Sequence, residues 1–117
     1  MQDETTYNLL KLIEEKPHLS QRAIAKHMGV SLGKVNYCLQ SLIEQGHIKA
    51  RNFYSSKNKS AYMYLLTPSG IEEKVRVTYR FLKYKIQEFE EVRQEIERLK
   101  SETQDLGVDP EQEVPHE

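Results

Sequence analysis

The sequence predicts a mainly α fold with a small β-hairpin: a helical head followed by a long C-terminal helix that serves for dimerisation. Three observations predict it. Two short stretches of helical apolar spacing, 21–28 and 32–45, are separated only by Gly29, Val30 and Ser31. Two short strand-like runs, Ile48 to Phe53 and the tyrosine- and aliphatic-rich Ala61 to Leu66, flank the polar segment Tyr54 to Ser60. Val75, Leu82, Phe89 and Ile96 then recur every seven residues.

The first helix is expected from Asp3 to Lys16, with Tyr7, Leu9, Leu10, Leu12 and Ile13 as its apolar stripe and Pro17 as its stop. Ser20 reads as the N-cap of a second helix, Gln21 to Met28. Ile24, Ala25 and Met28 share its inner face, and Gly29 supplies the left-handed residue that ends it. Ser31 caps a third helix, Leu32 to Gln45, stopped by Gly46. Its Val35, Cys38, Leu39, Leu42 and Ile43 follow core spacing, which turns Gly33, Lys34, Asn36, Tyr37, Gln40 and Ser41 outward. Strands are expected at Ile48 to Phe53 and Ala61 to Leu66.

Thr67 followed by Pro68 is a helix-start signal, because the hydroxyl caps and proline is preset for the first helical position. The helix is expected to reach about Thr103. Ile71, Ile86, Val92 and Leu99 fill the turns between the seven-residue repeats, and Thr78 and Lys85 interrupt the seam. The acidic stretch from Gln104 to Glu117, with Gly107, Pro110 and Pro115, is expected to be disordered. The expected organisation is thus a head at 1–67, a pairing helix at 68–103 and a tail at 104–117.

Charge is strongly polarised along the chain. Ser20 to Tyr62 carries Arg22, Lys26, Lys34, Lys49, Arg51, Lys57 and Lys59 against Glu44 alone, a net +6 within a protein of net charge −1. From Gln87 onward eleven acidic residues face three basic ones. Phosphates respond to the field of a local patch, so a near-neutral average does not argue against nucleic acid as a partner. A single cysteine, Cys38, forms no intramolecular disulfide and fits a reducing cytoplasm. No signal peptide or membrane-length apolar run occurs, so a soluble cytoplasmic protein without a membrane partner is expected.

Two helices of about eight and fourteen residues joined by a tight glycine-containing turn form a helix-turn-helix, whose second helix enters the major groove of double-stranded DNA. The outward residues suit that task. Lys34 can reach phosphate or guanine, Asn36 and Gln40 carry the donor and acceptor that an adenine edge takes, and Ser41 or Tyr37 can meet phosphate. Gly33 permits close backbone approach, and Ser20, Arg22 and Ser31 lie at the helix starts beside the same surface. A merely solvated face would be expected to include acids, since 30% of the chain is charged, yet the outward positions of 31–40 have none. The hairpin adds Arg51 on its first strand and Lys57, Asn58 and Lys59 in its loop, placed to follow the backbone or dip into the minor groove as a wing. A Ser/Asn/Lys loop taken alone is also an ordinary solvent turn.

The stretches Leu19-Ser20-Gln21-Arg22-Ala23-Ile24-Ala25, Val30-Ser31-Leu32-Gly33-Lys34-Val35-Asn36-Tyr37, Leu42-Ile43-Glu44-Gln45-Gly46-His47-Ile48 and Leu66-Thr67-Pro68-Ser69-Gly70-Ile71, in this order, resemble the MarR-type winged helix-turn-helix regulators of bacteria. Asn52-Phe53, Ser56-Lys57-Asn58-Lys59 and Tyr64-Leu65-Leu66-Thr67-Pro68 resemble more closely the small MarR-like group associated with exopolysaccharide gene clusters. The resemblance covers about residues 5 to 100. It implies a dimeric transcription regulator with the helix after Ser31 in the major groove and Lys57 and Lys59 near the minor groove. Two departures stand out. The loop has Lys-Asn-Lys where many members have Asp-x-Arg, and the chain has one long terminal helix where they usually have an additional N-terminal and a second C-terminal dimerisation helix.

About 36 helical residues make a rod of roughly 54 Å, against a head of roughly 28 Å by radius-of-gyration scaling. The expected overhang bears Leu82, Ile86, Phe89, Val92, Ile96 and Leu99, and pairing with a second copy would bury them. Two heads so joined read two half-sites about 34 Å apart. The alternative class is a winged helix used for protein interaction and assembly, which would be expected to expose apolar anchors instead of Lys34, Asn36 and Gln40. RNA is a third option, kept open by Tyr62 and Tyr64.

No enzyme is expected. Cys38, His18, His27 and His47 lack metal-ligand spacing, no glycine-rich phosphate loop occurs, and the acids of the long helix alternate with Lys and Arg as a solvated face. No cofactor is expected either. A small effector could sit in a cleft lined by Tyr79, Phe81 and Tyr84, although aromatics at such positions more often pack than bind.

Overall fold

The computed structural model describes residues 2–54 and 60–107. Its elements are α1 (Gln2–Glu15), α2 (Gln21–Met28), α3 (Leu32–Glu44), β1 (Ile48–Tyr54), β2 (Ser60–Leu66) and α4 (Pro68–Asp105). That order is a winged helix-turn-helix. The chain divides into two compact units, Met1–Phe81 and Leu82–Glu117.

Local chemistry sets the boundaries. Ser20 and Ser31 both adopt extended backbone, and their hydroxyl oxygens accept from the amides of Ala23 and Lys34 at 3.1 Å each. Each bond satisfies one of the amide donors that a helix start leaves unpaired. Gly29, at φ +68°, closes α2 with its amide directed back to the Lys26 carbonyl, and Val30 donates to Ala25. The turn between the helices is therefore fixed from both sides. Gly46, at φ +79°, turns the chain out of α3 into β1.

The core of the first unit collects Leu9, Leu10 and Ile13 from α1, Ile24 and Ala25 from α2, Val35, Leu39 and Leu42 from α3, Ile48 from β1 and Tyr64 from β2. Cys38, expected on this stripe, is half-buried at its margin. The hairpin is antiparallel, with Ile48 opposite Leu66 and Arg51 opposite Met63. Leu39 is fully buried at the centre of the cluster. Leu39→Ala is expected to cost about 3 kcal/mol of unfolding free energy. Urea denaturation should show the midpoint falling at unchanged slope; a loss under about 1 kcal/mol would mean that the site collapses freely around the smaller side chain.

The start of α4 is bolted to the corner that follows α3. Thr67 accepts from the Gly70 amide at 3.0 Å, donates its hydroxyl to the Gly46 carbonyl at 2.6 Å, and donates its amide to the His47 carbonyl at 3.1 Å. Gly70 is buried against that last carbonyl, and a Cβ there would stand 2.9 Å from the His47 carbonyl carbon and nearer still to its oxygen. Two charged contacts hold the same helix to α1, Lys74 to Glu14 and Arg80 to Asp3.

The first turns of α4 present two different faces. Its inner face in the first unit is Gly70, Glu73, Lys74, Val77 and Phe81, with Val77 at 1% exposure, while Val75 of the seven-residue series is 66% exposed. Ile71 and Val75 form a separate exposed apolar line, roughly 120–160° round the helix from Val77. In the second unit Leu82, Ile86, Phe89, Val92, Ile96 and Leu99 are all exposed, and ion pairs such as Arg93 with Glu90 at 3.0 Å lie between them. The hydrogen bond from Arg93 to Glu90 also raises the guanidinium pKa. Among the described residues no helix is long and apolar enough to cross a membrane.

Candidate nucleic-acid interface

The outward side of α3 is the surface that the sequence singles out. Gly33, Lys34, Asn36, Tyr37 and Gln40 are exposed, with Tyr37 at 72%. Ser41 is only half-exposed and lines a cavity instead of the outer face. The first acid on the helix is Glu44, its last residue. The outward face thus carries one cation, Lys34, and the carboxamides of Asn36 and Gln40, with no carboxylate before Glu44 to repel phosphate. A Cβ at Gly33 would meet nothing within 4 Å, so that position is open toward any partner.

Ser20 and Ser31 have their side-chain oxygens engaged as caps, and each hydroxyl keeps its proton as a donor toward whatever lies against the helix start. Arg22 on α2 and Arg51 on β1 are exposed. Lys57, Asn58 and Lys59, the expected wing residues, lie outside the described residues.

Sequence reasoning missed two residues at this surface. Gln21 and Tyr64 form a hydrogen-bonded chain behind Asn36, whose carboxamide donates to Gln21 Oε1 at 3.3 Å. Gln21 Nε2 in turn donates to the Tyr64 phenol at 3.0 Å. No periodicity brings these three together, because Gln21 and Tyr64 are 43 positions apart.

Beneath α3 an open cavity of about 270 Å³ is walled by Asp3 and Thr6 of α1, Tyr37, Cys38 and Ser41 of α3, and Glu73, Val77 and Arg80 of α4. Its polar wall is one connected set of charges. Glu73 lies 3.1 Å from His47 Nε2, 3.4 Å from Arg76 and 3.8 Å from Arg80, whose guanidinium also donates to Asp3. His47 Nδ1 shares a 2.7 Å hydrogen bond with Ser69. The hydrogen bond to Asp3 raises the Arg80 pKa against the opposing effect of desolvation. Phe81, expected in an effector cleft, stacks at a tilt on Tyr7 with ring centroids 5.4 Å apart.

Comparison with known proteins agrees with this geometry. Residues 2–49 match a family model described as winged helix-turn-helix DNA-binding. No curated protein sequence matches the chain. Among solved structures, FabT of Streptococcus pneumoniae, determined in complex with DNA, is similar at TM-score 0.51 and 22% identity, over 88% of this chain and 74% of that one. The transcriptional regulator BldR of Sulfolobus solfataricus gives TM-score 0.57 at 19% identity, over 85% and 73%. A mutant MepR from a multidrug-resistant clinical isolate of Staphylococcus aureus gives 0.54 at 21%, over 86% and 78%. At such identities the likeness is one of fold.

Proposed function

We propose that the chain is a MarR-type transcriptional regulator that binds double-stranded DNA in a sequence-specific manner as a homodimer. In this reading α3 enters the major groove and the loop 54–60 meets the backbone or minor groove. One observation carries it: an acid-free, exposed face of Gly33, Lys34, Asn36, Tyr37 and Gln40 on the second helix of a doubly capped helix-turn-helix. The match to a DNA-binding family model over 2–49 supports it, as does a fold shared with FabT, whose structure holds DNA. The exposed series from Leu82 to Leu99 supports pairing with a second copy, since its seven-residue recurrence suits an identical helix. Control of exopolysaccharide genes rests on the sequence likeness around 52–68 alone.

The test is the salt dependence of binding to a selected operator. If each head neutralises about four phosphates, log K should fall against log salt with a slope near −7. A slope close to zero would rule the reading out. It would favour the protein-interaction module, which has one observation on its side: Tyr37 and Tyr62 are exposed aromatics of the kind that anchor protein interfaces.

A further inference from the structure

Asn36 is exposed, yet its side chain is already held. Its carboxamide nitrogen donates to Gln21, the first residue of α2, and Gln21 donates to the phenol of Tyr64 on β2. Burial deepens along this chain, from exposed Asn36 through half-buried Gln21 to Tyr64 at 6% exposure. Tyr64 is fixed on every side: its ring belongs to the core, its amide donates to the Pro17 carbonyl at 3.2 Å, and it stands opposite Ala50 in the hairpin.

A carboxamide has two N–H donors and one carbonyl acceptor. Asn36 spends one N–H on Gln21 and retains the other together with its oxygen, the pair that the N7 and N6 groups of adenine take in the major groove. An unrestrained asparagine would have to be ordered on binding; one held by Gln21 is ordered beforehand. A rotation of Gln21 would break two hydrogen bonds at once, so the orientation of Asn36 is transmitted from the core.

We propose that Gln21 and Tyr64 are specificity-determining positioning residues, which preset the Asn36 carboxamide for an adenine edge and so fix the base preference at one operator position. This inference rests on the DNA-reading function proposed above. A purely structural contact between α2 and α3 would lower stability and weaken binding to all duplexes alike; a positioning chain alters the preference at a single base pair.

The experiment uses the full chain. An operator is selected from a random duplex library, and binding to it and to all its single-base variants is measured for wild type, Asn36→Ala, Tyr64→Phe, Gln21→Ala and Gln21→Glu. Wild type should prefer adenine at one position by about tenfold or more, and Asn36→Ala should erase that preference. Tyr64→Phe, which keeps the buried ring, and Gln21→Ala should each reduce the same preference about two- to tenfold, with other positions and the salt slope unchanged. Gln21→Glu accepts from both the Tyr64 phenol and the Asn36 amide, so it should retain the preference while its charge weakens every duplex. The inference is overturned if Tyr64→Phe and Gln21→Ala keep the wild-type ratio, if Gln21→Ala alters a different position from Asn36→Ala, or if Asn36→Ala alters none. A wild type without any base preference would remove the DNA-reading function itself; an intact preference untouched by these variants removes only the positioning chain.

Discussion

Gly70→Ala is expected to destabilise the first unit by about 3 kcal/mol. Within a domain of this size that lowers the melting temperature by roughly 12–24 °C. The reason is geometric. The added methyl would be driven into the His47 carbonyl, which is backbone and already accepts from the Thr67 amide at 3.1 Å. Relief requires the start of α4 to lift, and that would break the Thr67 bonds to Gly46 and His47 together. Ser69→Ala is the control, since it removes only the hydrogen bond to His47 and should cost about 1 kcal/mol. Thermal melts of the two variants against wild type decide the matter; a Gly70→Ala variant that melts no lower than Ser69→Ala would show that the corner gives way without the expected clash.

The second large effect is expected on the exposed side of α4. Ile86→Glu with Phe89→Glu replaces two large apolar side chains, at 54% and 65% exposure, by carboxylates. If a second copy covers these positions, the pair loses four such side chains, each worth ~1.5–3 kcal/mol when buried, and gains like charges across the seam. Sedimentation equilibrium should then show a monomer at micromolar concentration. Operator affinity should drop about a hundredfold or more, because the two heads no longer share one effective concentration. The double variant remaining dimeric would mean that this face does not form the pairing surface, and unchanged helicity by circular dichroism would confirm that α4 itself survives.

What could be read from the sequence was governed by local chemistry. Ser20, Gly29, Ser31, Gly46 and the Thr67-Pro68 pair act within a few residues of themselves, and the helices begin and end beside them as expected. The face of α3 was legible for the same reason, since one amphipathic helix against one core obeys a single period. The first turns of α4 defeat that logic because they have two faces. Val75 and Val77 have the same composition and nearly the same position, and only the presence of α1 and α3 on one side determines that Val77 is the buried one. Gly70 was equally opaque, because its role is set by a carbonyl 23 positions earlier in the chain. The chain from Tyr64 through Gln21 to Asn36 and the pairing of Arg80 with Asp3 depend on tertiary placement, to which no spacing rule refers.

Cys38 has a practical consequence. It is the only thiol in the protein and sits half-buried on α3, beside Tyr37 and opening on the cavity under that helix. A spin label or small fluorophore attached by thiol chemistry would therefore mark α3 at one known point per chain, with no cysteine to remove first. In an assembly of two copies the separation of the two labels measures the spacing of the two α3 helices directly, with and without DNA.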